Sequence, residues 1–203
     1  MLLRPYQEIA VNSASDALDK HGNTVVVAPT GAGKTIMLSS LIGKRKDNKN
    51  VLVLQHRDEL VNQNMDKFKR VNPNISTSVV NAEAKDWSGD TVFSMVQTLS
   101  RPNNLQNMKP IDMVVVDESH HIVADTYLRI INHAKQTNEN VEIVGFTATP
   151  NRGDKKGLRE VFTNCSHQIE ISTLIREGFL VTPRTYVIDV GVRSELQNVR
   201  KTI

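Results

Sequence analysis

The run Ala28-Pro29-Thr30-Gly31-Ala32-Gly33-Lys34-Thr35 follows the apolar stretch Thr24 to Val27 and precedes an apolar helical stripe. Gly31 and Gly33 permit a tight turn whose successive backbone N–H groups face one anion, Lys34 brings an ammonium to the outer phosphates, and Thr35 brings a hydroxyl ligand for Mg²⁺. The segment is therefore expected to bind a triphosphate nucleotide through Pro29, Thr30, Gly31, Ala32, Gly33, Lys34 and Thr35. Ala28 stands where the strict pattern has Gly, which leaves the Gly-x-Gly-Lys-Thr turn intact. A second cluster follows the apolar strand Ile111 to Val116: Asp117-Glu118-Ser119-His120 puts two carboxylates at a strand's carboxyl edge, where ligands bind in open α/β sheets. Asp117 is expected to share Mg²⁺ with Thr35, and Glu118 to polarise the water that attacks the γ-phosphate.

Positioning these groups requires a sheet. Apolar β-branched runs recur at Thr24 to Val27, Val51 to Leu54, Thr77 to Val80, Thr91 to Phe93, Met113 to Val116, Val141 to Phe146 and Thr185 to Val190. Near-continuous Val/Ile runs predict strands buried on both faces. Helices are expected from Pro5, with Ala10, Ala14, Ala17 and Leu18 as its stripe and His21-Gly22 as its stop; from Lys34 to the basic end Gly43-Lys44-Arg45-Lys46; and from Asp58, with Leu60, Val61, Met65 and Phe68 buried. Alternation of strand and helix predicts an α/β domain, a mainly parallel sheet with helices on both faces. Asn81 to Asp90 and Arg101 to Pro110 read as polar loops, and residues 191–203 as a linker or stub after a domain of residues 1–190.

Composition narrows the partners. The 203 residues suit one domain, and 39% hydrophobic residues can fill its core. A net charge of +3 permits a nucleic-acid surface without requiring one. Cys165 is the only cysteine, which excludes an internal disulfide or a Cys-rich zinc site. No stretch has the length of a membrane span or a leader's apolar core, so the expectation is a cytoplasmic protein with no membrane partner. His121 and His133 read as structural or surface residues, Trp87 as packing on its own domain rather than stacking on a base, and Cys165 as an inert core thiol.

Ala28 to Thr35, Asp117-Glu118-Ser119-His120 and Thr147-Ala148-Thr149-Pro150 together resemble motifs I, II and III of the superfamily 2 helicases in their DExH form. Three further segments fit in order. Arg4-Pro5-Tyr6-Gln7 resembles the adenine-recognising Q motif, Gln55-His56-Arg57-Asp58-Glu59-Leu60 with Gln63 resembles motif Ia, and Phe93-Ser94-Met95-Val96-Gln97-Thr98-Leu99 resembles motif Ib. Leu174 to Pro183 is similar to the stretch closing the first motor domain in the branch of type III restriction subunits, XPB-like proteins and RadD repair helicases.

The resemblance implies a RecA-like P-loop NTPase fold, ATP and Mg²⁺ as cofactors, and Lys34, Asp117, Glu118 and His120 as the catalytic set. It implies that Gln7 reads the adenine with Arg4 nearby, and that His120 and Thr147 link the nucleotide site to the nucleic-acid face. His56, Arg57, Gln97, Thr98 and Thr149 are then expected along the nucleic-acid backbone, where contacts set affinity rather than sequence. The family branch favours DNA over RNA. It also implies a second RecA-like domain in the parent chain, which supplies an arginine to the γ-phosphate. The function expected is a DNA helicase or translocase motor; the alternatives are a translocase subunit of a restriction system and a nucleotide-gated nucleic-acid clamp that does not unwind.

Overall fold

The computed structural model describes residues 2–45, 49–149 and 158–182. Seven strands form one sheet: β1 (Asn23–Val27), β2 (Val51–Gln55), β3 (Thr77–Val80), β4 (Thr91–Met95), β5 (Met113–Asp117), β6 (Glu142–Thr147) and β7 (Cys165–Gln168), in the spatial order β3-β4-β2-β5-β6-β1-β7. Every neighbouring pair is parallel. The helices are α1 (Pro5–His21), α2 (Lys34–Arg45), α3 (Asp58–Val71), α4 (Val96–Leu99), α5 (Pro102–Leu105), α6 (Asp125–Thr137) and α7 (Ile171–Arg176).

Side chains alternate across the sheet, and the core divides accordingly. Val26, Val51, Val53, Phe93, Met113, Val115, Val144 and Phe146 join the buried stripes of α1, α2 and α3, with the Phe68 and Phe93 rings edge to face at 5.5 Å. Val25, Leu52, Leu54, Val92, Val114, Val116 and Ile143 join α4 and α6 on the opposite face. The α/β architecture expected from the strand runs, a parallel sheet with helices on both faces, is present, its interior strands buried on both sides as parallel sheets require.

At the end of α2, the Arg45 guanidinium reaches Asp19 of α1 at 2.9 Å and also pairs with Glu142 at the start of β6, while Lys49 lies 2.8 Å from Glu142. Burial pushes the Glu142 carboxyl up, but its hydrogen bonds to Arg45 and Lys49 outweigh that and hold it below the usual carboxylate range.

Four sequence expectations need correction or fall elsewhere. Arg101 to Pro110 is not loop throughout, because Pro102 opens the short helix α5, as its fixed φ suits a first turn. Cys165 is exposed on edge strand β7 rather than sitting in the core. Strand β7 and helix α6 were not anticipated, although Tyr127, Ile130, Ile131 and Ala134 give α6 a buried helical stripe. The expected strand Thr185 to Val190 and the segment 191–203 lie outside the described residues. Trp87 packs against the core, as its loop position suggested. Among the described residues no helix is long and apolar enough to cross a membrane.

Candidate nucleotide and nucleic-acid site

Because all seven strands run the same way, the segments that leave their carboxyl ends share one edge. Along it the strand order gives α4 after β4, His56-Arg57 after β2, Asp117-Glu118 after β5, Thr147 to Thr149 after β6, and the glycine turn after β1.

The turn between β1 and α2 is held from outside the sheet. Gly31 and Gly33 have φ of 86° and 84°, a left-handed conformation that strains any residue with a Cβ. The Tyr6 hydroxyl and the Gln7 Nε2 each donate to the Ala32 carbonyl at 3.0 Å. Gln7 Oε1 accepts from the Arg4 backbone N–H at 3.0 Å. Buried at 6% exposure, Gln7 thus braces the turn, and each end of its amide has further hydrogen-bonding capacity. Phe179 closes this corner: its ring meets the Tyr6 ring at 5.0 Å and lies 5.0 Å beneath the Arg4 guanidinium. The neighbouring Leu180 sits against Gly31, where a Cβ would come within 2.8 Å of its Cδ2.

The acidic pair sits across from the turn. Asp117 is the last residue of β5 and is 8% exposed. Burial pushes its carboxyl above the usual range and the Glu118 charge adds to that, against the opposing pull of Lys34, the Glu118 N–H and Asn64. Glu118 adopts a left-handed backbone, φ 53° and ψ 52°, uncommon for a residue with a side chain and frequent at functional turns. The Glu118 carboxylate lies between two partners, Lys34 Nζ at 3.4 Å and His120 Nδ1 at 3.5 Å. His120 Nδ1 is also 3.2 Å from Thr147 Oγ1, which in turn contacts the carbonyl and N–H of Thr149 at 3.2 Å each. A continuous polar chain therefore runs from Lys34 through Glu118 and His120 to Thr147 and Thr149.

The residues expected on nucleic acid occupy the other half of the edge. Arg57 is exposed and half-buried His56 precedes it, with Arg57 Nε 3.2 Å from His56 Nε2. The His56 ring stacks at a tilt on His121 at 4.9 Å, and His121 on His120 at 4.0 Å. His121 thus joins the two groups, a role that its reading as a structural residue did not specify. Gln97 is exposed on α4, whereas Thr98 is only 5% exposed; its carbonyl accepts from Asn104 at 2.6 Å. Thr98 with Arg101 and Lys85 borders a cleft at the end of β4.

Sequence reasoning missed one amide, Asn64, and gave no role to another, Gln55 of the motif Ia segment. Asn64, on α3, contacts both Thr35 and Asp117. A signal existed: Asn64 falls between Val61 and Phe68 on the buried stripe, where a polar residue needs partners. Gln55 ends β2, 1% exposed and with neither amide atom partnered among the described residues, one residue past the pair Leu54↔Val116 and so beside Asp117.

Comparison with known proteins gives the family and the fold. Residues 1–152 match the family described as "Type III restriction enzyme, res subunit". IRC3 of Saccharomyces cerevisiae is 27% identical, over 99% of this chain and 31% of its own length. The irc3 protein of Schizosaccharomyces pombe, described as mitochondrial, is 29% identical over 96% of this chain and 33% of its own. Both carry names that assign them, provisionally, to the ATP-dependent helicases. The chain thus spans about a third of the length of these relatives. The type ISP restriction-modification enzyme LlaBIII, solved bound to DNA, superposes with a TM-score of 0.70 over 100% of this chain and 18% of that one, at 14% identity, a likeness of fold. With the match covering most of its length and the motif segments sharing one sheet edge, the chain belongs to the type III restriction enzyme res-subunit family, as a RecA-like domain of the superfamily 2 helicase type.

Proposed function

We propose that this chain is the ATP-binding motor domain of a DNA helicase or translocase. The observation that carries the reading is the polar chain from Lys34 through Glu118 to His120, which continues on one side to Thr147 and Thr149 and on the other, through the His121 ring, to His56 at the half of the edge that bears Arg57 and Gln97. Lys34 meets the β- and γ-phosphates, backbone N–H groups of residues 30–34 surround them, and Gln7 with Arg4 and Phe179 forms the base end of the site. The donor set fits a hard divalent cation: the Thr35 hydroxyl and the Asp117 carboxylate meet at one amide, and the buried, desolvated carboxylate of Asp117 gains by pairing with positive charge. Mg²⁺ bound there would neutralise charge developing on the transferred phosphoryl group. Glu118 orients the attacking water and takes its proton, and His120 carries a change in Glu118 to Thr147 by hydrogen bonding.

DNA as the track, rather than RNA, is supported by the motif resemblance to the restriction and repair branch and by a DNA-bound structural neighbour. A second RecA-like domain in the parent chain would close over the nucleotide and supply the arginine finger, a contribution on the order of 10³–10⁵ in rate. The test is steady-state phosphate release by the two-domain protein with and without DNA, beside strand displacement. DNA-stimulated turnover with displacement or translocation supports the motor. Nucleotide-dependent DNA retention without stimulation overturns it in favour of a clamp.

A further inference from the structure

Asn64 is 3% exposed, and its side-chain amide is engaged at both ends. Oδ1 accepts from the Thr35 hydroxyl at 3.2 Å, and Nδ2 donates to Asp117 Oδ2 at 3.1 Å. These two residues belong to different elements, Thr35 to the first turn of α2 and Asp117 to the end of β5, while Asn64 comes from a third, α3. We infer that Asn64 is the positioning residue of the divalent-cation site, an inference that rests on the reading of Thr35 and Asp117 as the cation's ligands.

The chemistry of the two contacts supports the role. A hydroxyl that ligates a cation must turn a lone pair toward it and send its proton elsewhere, and Asn64 Oδ1 is where the Thr35 proton goes. Asp117 has its two oxygens fixed separately, Oδ1 by the Glu118 N–H at 3.0 Å and Oδ2 by Asn64, so the carboxylate cannot rotate and lone pairs remain on both oxygens. Only a neutral group with a donor and an acceptor on one planar unit satisfies both neighbours: a carboxylate would repel Asp117, and an ammonium would compete with the cation. The alternative, that Asn64 only fills space, sits poorly with its position, because Val61 and Phe68 on the same stripe are fully buried and an apolar side chain there would avoid the cost of burying an amide. Outer partners that orient ligands typically change metal affinity 10- to 100-fold when lost. Asn64 also lies about two helical turns beyond Arg57, at the start of α3, so movement of that start on nucleic-acid binding is delivered to the cation ligands by a rigid helix.

The experiment titrates a fluorescent ATP analogue against this chain and its Asn64→Ala and Asn64→Leu variants, in EDTA and across a Mg²⁺ series; Asn64→Leu keeps the packing volume where Asn64→Ala leaves a void. The expected result is a Mg²⁺ midpoint raised by about 10- to 100-fold in a folded variant, with affinity in EDTA within about twofold of the wild type. A midpoint unchanged within twofold in either folded variant overturns the positioning role. So does an equal loss in EDTA and in Mg²⁺, which would mean that Asn64 supports the turn as a whole. If the wild type itself binds nucleotide without regard to Mg²⁺, the reading of Thr35 and Asp117 fails first and this inference falls with it.

Discussion

Glu118→Gln separates binding from chemistry at this site in a way that the geometry makes quantitative. Lys34 Nζ is 3.4 Å from Glu118 Oε1, with the two side chains 12% and 28% exposed. On the proposed reading, the ammonium that meets the phosphates is thus shared with a carboxylate, and each binding event would have to break that pair. A partly exposed pair is worth about 0.2–1 kcal/mol after screening, so replacing the carboxylate by an amide should tighten Mg²⁺–nucleotide binding by about 1.4- to 5-fold. The amide keeps the shape and the left-handed backbone of residue 118 and removes the base. Turnover in the two-domain protein should therefore fall by about 10²- to 10⁴-fold, the usual contribution of a positioned general base. Equilibrium titration with a fluorescent ATP analogue measures the first effect, and phosphate release at saturating ATP and DNA measures the second. Weaker binding by the variant would mean that Glu118 holds the nucleotide rather than competing for Lys34, and retained turnover would remove Glu118 from the chemistry.

Lys34→Ala removes an ammonium that would sit about 4 Å from a phosphate charge, a Coulomb term of about 4 kcal/mol at an effective dielectric near 20; nucleotide affinity should fall by about 10²- to 10³-fold in the same titration, and unchanged affinity in a folded variant refutes the phosphate role. Asp117 has a raised pKa in the folded chain, from burial first and the Glu118 charge second, so the stability it contributes is fully present below the ordinary carboxylate pKa and is lost as pH rises through the raised value. Asp117→Asn should consequently raise the metal-free melting temperature at neutral pH, by about 2–4 °C for each kcal/mol recovered, with the gain shrinking on acidification, while Mg²⁺-dependent nucleotide binding is lost; a lower melting temperature at pH 7 contradicts the desolvation argument. Arg57→Ala should weaken nucleic-acid binding about equally across sequences and reduce the salt slope by about one, a result checked by titrations at several salt concentrations; sequence-selective loss would contradict a backbone contact.

Much of this architecture was legible in the sequence because its signals are local. Six strands and three helices follow from apolar runs and stripes that need no knowledge of distant residues, and the turn of residues 28–35 carries its own chemistry. What escaped had weak or non-local signals. Strand β7, Cys-Ser-His-Gln, is an exposed edge strand, so burial never imposed the apolar run by which interior strands are recognised. The same exposure explains Cys165: a lone thiol reads as core on residue type alone, and only the strand order places it at the sheet's edge. Asn64 carried a local anomaly, an amide on an apolar stripe, but its partners lie 29 and 53 positions away in the chain, and no spacing rule connects them.

The polar groups of the site are largely satisfied by one another, and that bears on how it works. Lys34 leans on Glu118, Glu118 on His120, His120 on Thr147, and Asn64 holds Thr35 to Asp117. A buried charge without partners costs several kcal/mol, so an edge that gathers these groups must neutralise them when no nucleotide is present. On the proposed reading, binding exchanges partners instead of creating them: Lys34 would leave a carboxylate for a phosphate, and the freed carboxylate would be the group that acts on water. Release of Glu118 is, on the same reading, coupled to phosphate binding, and the displacement passes through His120 to Thr147 and Thr149 on one side and through His121 to His56 on the other. On that reading the arrangement would make the state of the nucleotide site legible at the other half of the edge without any rearrangement of the sheet, because each link is a side-chain hydrogen bond, ion pair or ring contact between segments that the parallel strands already hold side by side.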